Sequence, residues 1–144
     1  MKIRIKRLRD NVELPAYQTE CAAAMDVQAA IDTPTVIQPM ERQLIPTGFA
    51  MELPQGYEAQ LRARSGLSLN HGICLANGVA TIDADYRGEV GVILINLGSD
   101  AFTIEPGMRI AQMVIAKHEI VRWDETAILS DSKRGEGGFG STAH

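Results

Sequence analysis

Short runs of β-branched or alternating residues follow one another along this chain, separated by turns rich in Pro, Gly, Asn and Asp. No segment keeps apolar residues at a spacing of three and four over three turns, so a long amphipathic helix is not expected. Only residues 64–69 suit a helical turn or two. The pattern predicts an all-β barrel or sandwich with one short helix, and strands over residues 2–8, 43–53, 57–63, 88–96, 101–104 and 110–120.

The length of 144 residues suits one domain with an ordinary hydrophobic core. Hydrophobic residues make up 45% and charged residues 22%, which is typical of a water-soluble globular protein, and no apolar run approaches the roughly 20 residues that cross a bilayer. Residues 1–8 lack the apolar core of a secretory signal. We therefore expect a cytoplasmic protein without membrane contact, with one domain over residues 1–125 and a flexible, Gly-rich C-terminal arm over residues 126–144.

The net charge of -4 argues against a general grip on nucleic acid, because such binding depends on clusters of Lys and Arg. A polyanionic substrate would need a local basic pocket instead. Cys21 and Cys74 are far apart in sequence and show no spacing typical of a zinc site, so neither a zinc site nor a disulfide framework is indicated. The three histidines, His71, His118 and His144, are scattered, and no metal is assigned to these groups.

The segment 64–68, Arg-Ser-Gly-Leu-Ser, follows a predicted strand and opens the one helical turn. Arg64, Ser65 and Gly66 combine a bidentate guanidinium, a hydroxyl and a backbone that allows close approach, which together suit an anion. The alternative is a capped helix with a surface arginine, and the segment alone favours that alternative.

The segment 77–83 predicts a hairpin, with an Asn-Gly turn, an apolar strand and Asp83 at its far side. Asn77 and the strand amides can read a base edge, and Asp83 facing a bound water can act as a general base. An Asp that caps a turn is the alternative. Asp85 would share a face with Asp83 in a continuous strand, so only a turn between them would separate their roles and leave Asp85 to pair with Arg87.

The arm carries Arg134 and Phe139 among glycines, followed by the hydroxyls of Ser141 and Thr142. Its composition is typical of a disordered tail, and that is one interpretation. The other is a mobile lid, in which Phe139 covers a base while the arginine and hydroxyls reach phosphate oxygens.

Five segments together resemble, in order and spacing, the five motifs of the trimeric deoxyuridine triphosphatase (dUTPase) family: residues 23–27, 64–68, 77–88, 107–112 and 134–142. The resemblance covers the chain from about residue 20 to its end. It implies a β jelly-roll homotrimer with three shared active sites that splits dUTP into dUMP and pyrophosphate with Mg²⁺. Asp83 would activate the water that attacks the α-phosphorus, and Asp26 would act on the ion through water.

The resemblance also implies a role for each part of the substrate site. Asn77 and the backbone of Val79, Thr81, Ile82 and Asp83 would recognise uracil. Tyr86 would lie against the deoxyribose and leave no room for a 2′-hydroxyl, while Gly91 would line the pocket edge. A neighbouring subunit would hold the phosphates through Arg64, Ser65, Gly66 and Gln112, and the lid would add Arg134, Phe139, Gly140, Ser141 and Thr142.

Four residues in or next to three of the motifs depart from the family pattern, since Ala24, the pair Val79-Ala80 and Ala143 stand where glycine or proline is usual. None of them removes a charged or hydrogen-bonding side chain, so we expect activity to survive. Two other functions stay open. One is a dCTP deaminase-like enzyme, which would need a base suited to displacing ammonia, and the other is a non-catalytic nucleotide-binding regulatory trimer.

Overall fold

A computed structural model describes residues 1–138, in which twelve β-strands and one short helix form the regular structure. The elements are β1 (Arg4–Arg7), β2 (Ala16–Tyr17), β3 (Met25–Gln28), β4 (Thr35–Ile37), β5 (Arg42–Pro46), β6 (Phe49–Glu52), β7 (Tyr57–Arg62), α1 (Ser65–His71), β8 (Ile73–Leu75), β9 (Ala80–Ile82), β10 (Gly91–Asn96), β11 (Phe102–Ile104) and β12 (Arg109–Lys117). The predicted all-β, jelly-roll-like class with one short helix is confirmed.

The strands form four antiparallel sheets. The largest has the order β2-β3-β12-β7-β9, the second has the order β5-β10-β8, and the pairs β1-β6 and β11-β4 complete the set. Strands distant in sequence are neighbours in space, as in the pairing of β3 with β12 and of β5 with β10. Residues from both halves of the chain therefore meet in each of the two larger sheets.

One cluster of buried apolar side chains receives residues from all four sheets. Phe49 comes from the β1-β6 pair, Ile37 from β4, Leu94 from β10 and Leu61 from β7. Along β10 the inward side chains alternate with outward ones, so that Val92 and Leu94 are fully buried while the residue between them is exposed. The sheets thus pack face to face around one core.

The strand predicted over residues 43–53 is wrong in one respect, because it is two strands, β5 and β6. Gly48 between them has a φ of 73°, and its own backbone leaves the extended region there. The buried Thr47 hydroxyl donates a hydrogen bond to the carbonyl of Val90, which pulls the chain toward another segment. The turn Pro46-Thr47-Gly48 therefore breaks the run.

Other boundaries also differ. The strand predicted from residue 88 begins at Gly91, and the last strand ends at Lys117 rather than at residue 120. The predicted hairpin over residues 77–83 is wrong, because β8 pairs with β10 and β9 pairs with β7. The Asn-Gly turn is present, with Gly78 at a φ of 70°, but it joins two different sheets.

The helix α1 begins one residue later and ends two residues further on than predicted. Its amino-terminal cap residue is Arg64, and Gly72 ends it in the left-handed conformation with a φ of 69°. A side chain at Gly72 would overlap the backbone at Gly98, so glycine also permits a close approach there. Across residues 1–138, no helix has the length and apolar character that crossing a membrane requires.

Candidate active site

Asp26 lies on β3 between two arginines and is the centre of the first group of predicted site residues. Its carboxylate is 3.3 Å from Nε of Arg64 and 3.0 Å from Nη1 of Arg109. Arg64 also donates from Nη1 to the carbonyl oxygen of Arg109 at 2.9 Å. Because the Asp26 side chain is only 15% exposed, these charges interact in a partly desolvated setting. The group carries one net positive charge beside the start of α1.

Ser65 and Gly66 are exposed in the first turn of α1, directly after Arg64. Within residues 1–138 no side chain caps this helix, so its first backbone N–H groups are free to meet a ligand. Gln112 lies opposite Asp26 in the sheet, and its amide donates to the carbonyl of Ala63 at 2.8 Å. Four predicted site residues, Arg64, Ser65, Gly66 and Gln112, are thus brought together with Asp26.

Arg109 was not among the individually predicted site residues, although it lies in the segment 107–112 that carries the resemblance. The register of β12 against β3 shifts between Arg109 and Ala111, which is a β-bulge. A bulge redirects the side chains beside it, and here Arg109 reaches the carboxylate of Asp26. Arg109 and Asp26 are 83 residues apart in sequence, so their contact cannot be predicted without knowing how the strands pair.

The second group of predicted site residues follows β9. Asn77 and Val79 are exposed in the turn before this strand, and Ile82 packs against the core. Thr81 and Asp83 are both exposed, as expected for residues two apart in an extended segment. Strand β9 is the end strand of its sheet in the described structure, so its outer N–H and C=O groups remain available for hydrogen bonds.

A tight turn follows Asp83, because the backbone N–H of Tyr86 donates to the carbonyl of Asp83 at 3.2 Å. Asp85 therefore lies inside a turn and not two residues further along a continuous strand, although its carboxylate lines the same cleft as that of Asp83. The expected pair of Asp85 with Arg87 is wrong, since Arg87 pairs with Glu52 at 4.0 Å. Arg87 also donates to the carbonyls of Ala84 and Tyr86, and it thereby stiffens the turn.

An open cleft of about 660 Å³ lies beside this turn. Both carboxylates of the turn line it, together with Arg87 and His118. Gly91 is elsewhere, at the start of β10, where it pairs with Pro46 and lies under the side chain of Leu44. In one chain Gly91 thus belongs to a different sheet from β9, the strand that precedes Asp83.

The two groups of site residues lie far apart within one chain. In the sheet order β3-β12-β7-β9, Asp26 on β3 lies opposite Gln112 on β12, and Gln112 lies opposite Arg62 on β7. On the other side of β7, Ile82 on β9 lies opposite Ala59, so the next residue, Asp83, is at the level of residue 58, which is four residues along β7 from Arg62. Three strand spacings and four residues correspond to about 20 Å between Asp26 and Asp83. No single bound water or ion in one chain can contact both carboxylates.

In the described part of the arm, residues 126–138, there is no helix or strand. Arg134 forms a local turn, with Nε donating to the carbonyl of Gly137 at 2.6 Å. The predicted lid residues Phe139, Gly140, Ser141 and Thr142 lie outside the described residues.

Comparison with known proteins gives the same family as the five segments. A model of the dUTPase family matches residues 10–143. The deoxyuridine 5′-triphosphate nucleotidohydrolase of Rickettsia felis is 56% identical over 142 residues, which are 98% of this chain and 96% of that protein. The corresponding protein of Rickettsia akari is 55% identical with the same coverage.

Solved structures of phage proteins share the fold. A mutant dUTPase of Staphylococcus bacteriophage 80alpha with dUpNHpp is 26% identical, with a TM-score of 0.88 over 97% of each chain. A mutant dUTPase of Staphylococcus aureus phage phi11, described with a structural Mg(II) ion, is 20% identical, with a TM-score of 0.81 over 91% of this chain and all of that one.

The family model extends over nearly the whole sequence, and relatives more than half identical cover 98% of it. This chain belongs to the dUTPase family.

Proposed function

We propose that this chain hydrolyses dUTP to dUMP and pyrophosphate. The observation that carries the proposal is the 56% identity, over 98% of the chain, to a deoxyuridine 5′-triphosphate nucleotidohydrolase. The exposed Asp83, held at the start of a tight turn, is consistent with it.

Asp83 acts as the general base in this proposal. Its carboxylate is exposed beside an open cleft, where a water molecule and a nucleotide can both reach it. A carboxylate that accepts a proton from water at the moment of attack raises the rate by roughly 100- to 10,000-fold. The water attacks the α-phosphorus in line, and pyrophosphate leaves.

The base and the sugar are recognised along β9 and the turn that follows it. The outer backbone groups from Val79 to Asp83, with the Asn77 amide, provide the donors and acceptors that a uracil edge requires. Tyr86 is 45% exposed and lies against the deoxyribose, so that a 2′-hydroxyl is excluded. Gly91, which lies on β10 under the Leu44 side chain, is not part of this surface within one chain.

The phosphates bind to Arg64, Ser65, Gly66 and Gln112 of a neighbouring subunit. The separation of about 20 Å between Asp83 and Asp26 in one chain supports this division, because the triphosphate must be held close to the attacking water. A homotrimer with three shared sites has a complete set of residues at each junction.

Exposed apolar residues also support assembly. Ile93 on β10 and Leu44 on β5 lie directly opposite each other and are 37% and 66% exposed. After the last strand, Ile120, Val121 and Trp123 are exposed as well, with Trp123 at 92%. Neighbouring exposed apolar side chains, such as Ile93 and Leu44, often mark an interaction surface, and contacts between subunits would cover them.

Residues 1–138 contain no group of three or more His, Cys, Asp or Glu side chains that could hold a metal ion by themselves. This fits Mg²⁺, which usually keeps several waters and binds through substrate phosphates with one or two carboxylates. The carboxylate of Asp26, paired with two arginines, suits an indirect role through water. When bound, Mg²⁺ would neutralise phosphate charge and hold the triphosphate in a reactive shape.

The arm completes the site as a lid. Phe139 covers uracil with Gly140 beside it, while Arg134, Ser141 and Thr142 reach the outer phosphates. The local turn at Arg134 is exposed, so its guanidinium can exchange the carbonyl of Gly137 for a phosphate oxygen.

The test is a nucleotide panel with Mg²⁺, in which release of pyrophosphate from dUTP, UTP, dTTP and dCTP is measured, together with release of ammonia from dCTP. We expect rapid release from dUTP and little from UTP or dTTP. Asp83→Asn is expected to bind a non-hydrolysable dUTP analogue but to lose roughly 100-fold or more in kcat, because it cannot take the proton. The matched control is Asp85→Asn, an exposed carboxylate in the same turn, which should stay close to wild type.

Other results of the nucleotide panel would indicate a different function. Ammonia released from dCTP would show a deaminase, and tight nucleotide binding without turnover of any substrate would show a regulatory protein. Full activity of Asp83→Asn would remove the general-base role.

A further inference from the structure

The ring of Tyr86 is folded back onto the residues that follow it. Its hydroxyl donates a hydrogen bond to the backbone carbonyl of Glu89 at 2.9 Å. A Cβ atom at Gly88 would overlap the Tyr86 ring, so the ring lies directly on the glycine backbone. The position of Tyr86 therefore depends on where the backbone of residues 88–89 is held.

The side chain of Glu89 fastens that backbone to the turn between β5 and β6. Its carboxylate accepts a hydrogen bond from the backbone N–H of Gly48 at 2.8 Å. The next residue is held in the same place, because the N–H of Val90 donates to the carbonyl of Phe49 at 2.9 Å. The buried Thr47 hydroxyl donates to the carbonyl of Val90.

The anchor at Gly48 is itself fixed. Its φ of 73° leaves the extended region, and a Cβ atom there would overlap the side chains of Val12 and Ala30. Its carbonyl accepts a hydrogen bond from the N–H of Leu8 at 2.8 Å. Because the Gly48 backbone is closely packed, it has little room to shift and compensate if the Glu89 carboxylate is removed.

We propose that Glu89 is a positioning residue for sugar selectivity: its carboxylate, held by the Gly48 amide, is one of two anchors of the carbonyl that holds the Tyr86 hydroxyl. The other anchor is the Val90 N–H, which belongs to the same planar peptide unit as that carbonyl and is bound to Phe49. The inference rests on the proposed place of Tyr86 against the deoxyribose. A ring excludes a 2′-hydroxyl only while its position is fixed. Without the carboxylate, one anchor is lost, the Glu89 carbonyl and the ring gain freedom to move together, and a ribonucleotide gains space.

The experiment compares kcat/KM for dUTP and for UTP in the full-length wild type and in Glu89→Ala. We expect the ratio of dUTP to UTP to fall about three- to tenfold, as for one lost hydrogen bond, mainly because the KM for UTP falls. Glu89→Gln should keep the ratio within about twofold, since its amide oxygen can still accept from Gly48. A general loss of structure would lower kcat/KM for both substrates in parallel and leave their ratio unchanged.

Glu41→Ala is the matched control. Glu41 is also half-buried, and its carboxylate accepts a backbone N–H, that of Gln38, at 2.8 Å. It lies in the turn before β5, so its loss should lower Tm without changing the dUTP to UTP ratio. An unchanged ratio in folded Glu89→Ala overturns the proposal.

Tyr86→Phe removes the hydrogen bond from the Tyr86 hydroxyl to the Glu89 carbonyl, and it tests the proposal if Glu89→Ala does not fold. It keeps the ring but not the hydroxyl, and it should relax the ratio by a similar factor; an unchanged ratio would again overturn the proposal. Tyr86→Ala separates the two levels. If it leaves the ratio unchanged, the proposed sugar contact of Tyr86 fails as well, whereas a relaxed ratio in Tyr86→Ala alone leaves that contact intact and removes only the role of Glu89.

Discussion

Two inactive variants of this chain should restore activity when they assemble together. Asp83→Asn lacks the proposed base, and Arg64→Ala lacks a proposed phosphate ligand. Each alone is expected to lose roughly 100-fold or more in kcat. In one chain Arg64 contacts Asp26, which is about 20 Å from Asp83, so the two missing groups are expected to come from different subunits at each site.

The expected recovery follows from the symmetry of a ring of three. Any trimer that contains both variants has one junction at which an intact Asp83 faces an intact Arg64, whether the composition is two to one or one to two. Mixed trimers should therefore show about one third of wild-type activity. If both groups served the same chain, no junction would be complete and recovery would be zero.

The assay uses co-expression of the two variants with different affinity tags, purification on both tags in succession, and confirmation of the trimer mass by light scattering. Hydrolysis of dUTP is then measured against each parent. As a control, the double variant Asp83→Asn/Arg64→Ala co-assembled with Asp83→Asn contains no intact base and must stay inactive. Mixed trimers of verified mass that were no faster than their parents would refute the shared site.

Three further perturbations test other parts of the structure. Deletion of residues 134–144 should lower dUTP turnover much more than it changes the oligomer mass; normal turnover would exclude the lid. Gly48→Ala should destabilise the fold by more than Gly56→Ala, measured by denaturant unfolding: both glycines have positive φ, which costs roughly 1–3 kcal/mol, but only Gly48 has neighbours that a Cβ would overlap. Ile93→Glu should shift the mass toward monomer in light scattering because it puts a charge on the exposed apolar face of β10; an unchanged trimer would place the interface elsewhere.

The sequence was sufficient for the all-β class and for the longer strands, because alternation is visible over five residues or more. It missed strands such as β2 and β4, which have two and three residues and are too short to show a period. These short strands form because they pair with β3 and β11, which the fold brings next to them. A local sequence pattern cannot show which strands will pair.

The same distinction applies to the candidate site. The turn after Asp83 could be anticipated from local residues, whereas the partner of Arg87 could not, since Glu52 lies on a different strand. The contact of Arg109 with Asp26 depends on a bulge in the ladder between β12 and β3. Interactions between segments far apart in sequence account for each of these misses.

The pairing of Asp26 with two arginines has a consequence for the energetics of binding. Two guanidinium groups side by side would repel each other, and each has considerable rotamer entropy to lose when a ligand immobilises it. The carboxylate holds both in place, so for Arg64, the proposed phosphate ligand, the ordering cost falls on folding rather than on association. On that proposal, affinity for a triphosphate and resistance to unfolding are coupled in this enzyme, and substitutions that loosen β3 should weaken both together.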